Sequence, residues 1–176
     1  MSEESSEAVV DDVLTVAEAF VDELWTRLDA QAFEEVLVGK KADLVSDDLG
    51  QKPEVFAEDE LIFPLLRAVG LKWKRQIYES DGDGDDDVRT SVSWPDLGIV
   101  NVEEATLGEA KPINNVPDAE DDVVEYLDRI SVREDYGIAT DGIEWRILKR
   151  DLSGDVGRVR QVQTIDLRPL LLATAL

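Results

Sequence analysis

At Leu71 the apolar residues of this chain change their period, and that change decides which architectures remain open to it. Before it, Val10, Val13, Leu14, Ala17, Val21, Leu24 and Leu28 recur at helical spacing, and Phe33, Val36 and Leu37 continue the stripe after a break. "KADLVSDDLGQKP" reads as a loop. A second helix then turns Leu61, Leu65, Leu66 and Val69 inward and stops at Gly70, while Pro64 inside it predicts a kink or two short pieces. From Leu71 onward, "LKWKRQIYE", "TSVSWPDLGIVN" and "EATLGEAK" read as strands, with "SDGDGDDD" the exposed turn between the first two. "KPINNVPD" is a loop in which Asp118 is a candidate N-cap for a helix on Val123, Val124, Leu127 and Ile130. "YGIAT" and "IEWRILKR" form a hairpin about a two-residue Asp141-Gly142 turn, and "RVRQVQTIDL" is a last strand.

Composition removes most familiar chemistries. With no Cys and no His among 176 residues, disulfides, thiolate nucleophiles, Ser-His triads and imidazole metal sites are excluded. Catalysis would have to use carboxylates, Lys, Tyr or a hard metal ion. The length fits one domain, residues 1–176, with a helical segment over 1–40 and a core over 53–168. No apolar run is long enough to span a bilayer, and the acidic start "MSEESSEAVVDD" has no secretion-signal core, so a cytoplasmic protein without a membrane partner is expected. The apolar end "PLLLATAL" reads as a place where a longer protein has been cut.

Against 41 acidic residues stand 18 basic ones, a net charge of -23 spread along the whole chain. Dispersed acid with few Lys reads as a surface adapted to a salty cytoplasm, where a Debye length of about 3 Å at molar salt screens self-repulsion. The competing reading is an acidic mimic of a nucleic-acid backbone.

The stretch "SWPDLGIVNVEEATLGEAKP", residues 93–112, places charges inside two strands that otherwise read as buried. Such charges are costly unless they face water or a partner. Period-two alternation puts Leu107, Glu109 and Lys111 on one face and Thr106, Gly108 and Ala110 on the other. If the two strands pair as a hairpin, Asp96 lies beside Glu109 and Lys111. Two carboxylates and a backbone carbonyl make a hard oxygen site for Mg²⁺ or Mn²⁺. A neighbouring ammonium could orient or help deprotonate a water, or stabilise charge at phosphorus, which is a histidine-free route to phosphodiester hydrolysis.

Pro95-Asp96 followed by Glu109-Ala110-Lys111 resembles the signature of the PD-(D/E)xK nucleases. "EVFAEDELIFPLLRAVGL" resembles the helix that precedes the site in nuclease domains of type I and type IIG restriction-modification enzymes, and "DYGIATDGIEWRIL" the strand pair that follows it. The resemblance covers Pro53 to Lys149. It implies a three-layer α/β fold of the restriction-endonuclease type, a mixed central sheet flanked by helices. It also implies Mg²⁺-dependent cleavage of double-stranded DNA, with methyltransferase and target-recognition domains or subunits as partners. Carried over, Asp96 and Glu109 become metal ligands and Lys111 the catalytic lysine, with Glu54, or Glu58 one turn along, as a further acid near the metal. The family's Gln-then-Tyr pair on the following helix is met here by Glu125 and Tyr126. An inactive nuclease-fold binding module is the alternative from another class.

Other features carry bland readings. From Asp81, the acids at Asp83 and Asp85 fit a calcium loop, but Asp86 stands where Gly is required and Val92 where the closing Glu should be. Trp25, Trp73, Trp94 and Trp145 sit on apolar faces and read as core rather than base-stacking residues. Lys72, Lys74 and Arg75, and later Arg129, Arg133, Arg146, Lys149 and Arg150, could track a phosphate backbone, but charge on exposed faces is the commoner explanation.

Overall fold

The computed structural model describes residues 3–40, 44–75, 95–128, 135–151 and 158–175. Helix α1 (Glu3–Arg27) gives way to α2 (Ala30–Leu37) where Asp29, in an extended conformation, accepts a 2.8 Å hydrogen bond from the Ala32 N–H and starts the new helix. The stripe of α1 buries Ala17, Val21 and Leu24 as expected, and adds Phe20. Val10 and Trp25 depart from that expectation at 54% and 60% exposed; Trp25 makes a T-shaped contact with Phe33, ring centroids 5.0 Å apart. The expected loop that follows contains a short helix, α3 (Ser46–Leu49), whose Leu49 is buried.

Pro64 acts through the turn before it. Helix α4 (Pro53–Ala57) runs into a π-helical turn (Glu58–Ile62) and then α5 (Phe63–Ala68). Proline cannot donate a backbone hydrogen bond, and the wider turn ahead of it absorbs the phase change. Val69, expected inward, lies past the end of α5 and is exposed, and Gly70 closes the segment at φ 75°.

Among the described residues, six strands form one open sheet in chain order: β1 (Trp73–Arg75), β2 (Leu97–Ile99), β3 (Thr106–Ala110), β4 (Tyr136–Thr140), β5 (Glu144–Asp151) and β6 (Arg158–Asp166). Neighbours are antiparallel except β3 and β4, which run parallel. That parallel step needs a crossover, supplied by α6 (Val116–Asp128). The helix starts two residues before Asp118, which therefore sits in its first turn and accepts from the Asn115 side chain at 2.8 Å instead of capping it. Three residues, 141–143, separate β4 from β5, one more than the expected turn. The Asp141 carboxylate accepts from the N–H groups of Ile143 and Glu144 (3.0 and 2.8 Å) and from that of Val116 at the start of α6.

Two apolar layers flank the sheet. One joins α1, α2 and α5 to Leu97, Ile99, Ala110, Ile138 and Trp145. The other packs Val123, Tyr126 and Leu127 of α6 on Leu107, Ala139 and Leu148. On that side α6 comes so near β4 that a Cβ on Gly137 would lie 2.2 Å from Val123 Cγ1. Helix α7 (Arg168–Thr174) closes against α1. The acidic "SDGDGDDD" stretch, the incomplete calcium loop, Trp94, Ile130, Arg129 and Arg133 lie outside the described residues.

Candidate functional site

The hairpin expected of β2 and β3 forms, with Leu97 opposite Gly108, so Asp96 falls one step further along, beside Glu109. Asp96 Oδ2 accepts a 2.9 Å hydrogen bond from the Ala110 N–H, which fixes the carboxylate at the end of the sheet. Glu109 is 4% exposed, and its Oε1 accepts from Lys111 Nζ at 2.8 Å. Glu109 Oε2 is buried with no hydrogen-bond partner. Alternation along β3 carries both side chains to the α6 face, as the sequence predicts.

The α4 segment and its π turn approach the same place. Glu54 and Glu58 lie four residues apart on one helical face. With Asp96, each offers a carboxylate oxygen, and these three oxygens lie within 4.8 Å of one another. The structure therefore brings together all five residues singled out from sequence, with Glu54, Glu58 and Asp96 as the tight trio and Glu109 and Lys111 adjoining it.

Sequence reasoning missed Asp122. Its Oδ2 lies 2.6 Å from Lys111 Nζ, so the ammonium is held between a strand carboxylate and one from α6. Tyr126, one turn further along α6, is buried in the apolar layer, whereas Glu125 is exposed. The helical signal was present: Asp122 lies four residues before an inward Tyr and one before the inward Val123.

Burial dominates the electrostatics. It pushes Glu58 up to about 7, against the lowering effect of Arg75 and with Asp96 and Glu54 adding repulsion. It pushes Glu109 up to about 7 as well, although the Lys111 hydrogen bond opposes the rise. Asp96 is raised by burial despite the Ala110 N–H and Lys111, and Glu54 by burial and then by Asp96. Burial alone would lower Lys111, but its hydrogen bonds to Asp122 and Glu109 more than reverse this and hold the ammonium charged. A set of crowded, desolvated carboxylates with one orphaned oxygen fits a hard divalent cation.

Elsewhere, Arg146 is tied to Glu120 and Glu144, and Lys149 lies over the Tyr136 ring at 4.9 Å, so neither stands as a bare phosphate contact. Trp145 is core as expected, and Trp73 stacks on Phe63. Among the described residues, no helix is long and apolar enough to cross a membrane.

An open mixed sheet between helical layers, with acids and a lysine gathered at one end, defines a three-layer α/β fold of the restriction-endonuclease-like type. The chain is similar to a protein of Methanocaldococcus jannaschii named "Putative type II restriction enzyme and methyltransferase", with 29% identity over 143 residues. That match covers 78% of this chain and 11% of the relative, and it relates the chain to restriction-modification proteins. No family model matches the chain, and no solved structure matches it significantly.

Proposed function

We propose that this chain is a divalent-metal-dependent DNA endonuclease domain of a restriction-modification protein, built on a PD-(D/E)xK site. The observation that carries the reading is the convergence of Glu54, Glu58 and Asp96 on one point, next to Glu109 and Lys111. Asp96, Glu58 and Glu54 would hold Mg²⁺ or Mn²⁺, and the buried, unpartnered Glu109 Oε2 is a further carboxylate oxygen of the site. When bound, the ion supplies Lewis-acid stabilisation of charge at phosphorus and a more acidic water.

The chain's own groups do the positioning. Asp96 is fixed through the Ala110 N–H, so its other oxygen keeps one direction. Lys111 stays protonated, which makes it an orienting and charge-stabilising group rather than a base. Its ammonium can steer the attacking water and offset charge on a nonbridging phosphate oxygen. Water adds to phosphorus and sheds a proton to solvent, the bridging P–O bond breaks, and the leaving oxygen takes a proton back from solvent. The substrate is double-stranded DNA in the cytoplasm, and the recognition sequence is read by target-recognition and methyltransferase parts outside this chain.

Plasmid DNA incubated with the protein and Mg²⁺ tests the reading. Nicking or linearisation that disappears in Asp96→Asn and Lys111→Ala, with folding retained, supports it. Metal and DNA binding without cleavage would reassign the chain as an inactive binding module. Neither metal nor DNA binding would leave the acidic-mimic reading.

A further inference from the structure

Among the described residues around the carboxylates, positive charge is scarce and mostly spent. Lys111 is already bridged between Glu109 and Asp122, and Lys52 acts on Glu54 only through space. Arg75, on edge strand β1, differs. Its Nη2 lies 3.1 Å from Glu58 Oε2 and 3.0 Å from Asp59 Oδ1, so both ion pairs use one of the three guanidinium nitrogens. Among the described residues, Nε and Nη1 make no hydrogen bond, and the side chain is 56% exposed. With Nη2 committed to the two acids, the Nη1 protons, and on the other edge the Nε proton, are what the guanidinium offers an anionic oxygen.

The guanidinium is also held in place. Its Cζ lies 4.5 Å over the Phe63 ring, and Phe63 stacks on Trp73 at 5.0 Å and 4°. Trp73 in turn carries Arg67 at 6.0 Å. Phe63 opens α5 directly after the π turn that contributes Glu58 and Asp59. One local structure thus fixes an acid of the metal trio and the arginine beside it. A rigid planar cation loses less freedom on binding an anion than a mobile one. Simple charge balance at Glu58 would need neither the ring support nor the open donors.

We infer that Arg75 is a phosphate-binding residue of this site, contacting the DNA backbone next to the metal trio through its open Nη1 donors. This rests on the DNA-cleavage reading above. It also addresses how a chain of net charge -23 accepts a polyanion at an acidic centre: one preorganised arginine supplements the metal charge.

The test measures binding apart from cleavage. A labelled DNA duplex is titrated by fluorescence anisotropy in Ca²⁺ across a KCl series, with the duplex checked intact afterwards. The protein is wild type, Arg75→Gln, Arg75→Lys, or Arg158→Gln as a control exposed cation on β6. Circular dichroism melts establish that each variant is folded. Arg75→Gln should weaken binding about tenfold and reduce the slope of log K against log[KCl] by about 0.9, one phosphate contact. Arg75→Lys should restore the slope and part of the affinity, as a point charge without the planar head that stacks on Phe63. Arg158→Gln should leave the slope nearly unchanged. An unchanged slope in Arg75→Gln, with wild-type duplex binding present, would overturn the inference alone. Tighter Mn²⁺ binding by that same variant would then mark Arg75 as a residue that only neutralises Glu58. No duplex binding by wild-type protein at any salt would overturn both this inference and the DNA reading.

Discussion

Lys111 Nζ lies 2.6 Å from Asp122 Oδ2 and 2.8 Å from Glu109 Oε1, so the ammonium just past the end of β3 is shared between the sheet and the crossover helix. The pair links the site to the α6 layer. Removing Asp122 takes away one of two charge-assisted hydrogen bonds without opening the core, because the residue is only half-buried while its neighbour Val123 does the packing.

Asp122→Ala should therefore fold normally and lose activity. One charge-assisted bond is worth about 1.5–3 kcal/mol, which corresponds to a drop of about 10–150-fold in the cleavage rate. Asp122→Asn, which keeps an acceptor, should retain more. Single-turnover cleavage assays beside thermal melts check this. Equal rates in wild type and Asp122→Ala would remove Asp122 from any positioning role.

The metal trio should bind its ion with a steep dependence on pH. Burial holds both Glu58 and Glu109 at about 7, so below that they carry protons that a cation must displace. Mn²⁺ affinity should rise as pH climbs toward about 7 and flatten above it, with protons released on binding. Folding stability without metal should move the other way. Because the folded values lie above those of free carboxylates, the stabilising effect is fully present at acid pH and is lost as pH rises through about 7. Added metal should restore it above that point. Calorimetric titrations in buffers of different ionisation enthalpy, together with melts from pH 5 to 8, measure both trends. Metal affinity independent of pH would reject these carboxylates as the ligands.

How far the sequence carried these features depends on range. The β2–β3 pairing and the shared face of Glu109 and Lys111 were legible because strand alternation is a local rule and Pro95 marks where the pairing ends. Pro64 announced a break, but not that the break would be a π turn, since its geometry depends on how Phe63 packs against Trp73. Trp25 and Val69 misled because an apolar residue near a helix end can fall outside the buried stripe. Asp122 was missed for a different reason. Its role depends on the angle at which α6 crosses β3 and β4, a tertiary quantity set by contacts such as Val123 on Gly137.

That contact makes its own prediction. A methyl group at position 137 would lie 2.2 Å from Val123 Cγ1 and 3.1 Å from Leu127 Cδ1, and α6 would have to lift from the sheet. Gly137→Ala should cost about 1–3 kcal/mol by overpacking. It should also slow cleavage, because the same lift moves Asp122 away from Lys111. Val123→Ala in the same chain should recover part of the stability, and urea unfolding of the four proteins in the double-mutant cycle measures the coupling. Additive losses would mean that the two positions do not meet.

Salt gives the last prediction. Forty-one acids against 18 bases leave -23 of charge that repels itself whenever the protein is compact. At roughly molar salt the Debye length falls to about 3 Å, which silences repulsion between dispersed surface carboxylates but hardly touches a pair in contact, such as Lys111 and Asp122. The melting temperature should therefore climb steadily with KCl while the local geometry of the site persists. DNA affinity should fall across the same series as counterions compete for phosphate, so this domain would depend on companion domains to hold DNA in a salty cytoplasm. Circular dichroism melts and duplex binding, followed together from dilute buffer to molar KCl, read both. A melting temperature that is flat or falling would reject the salt adaptation, and tight duplex binding at molar KCl would reject the need for companions.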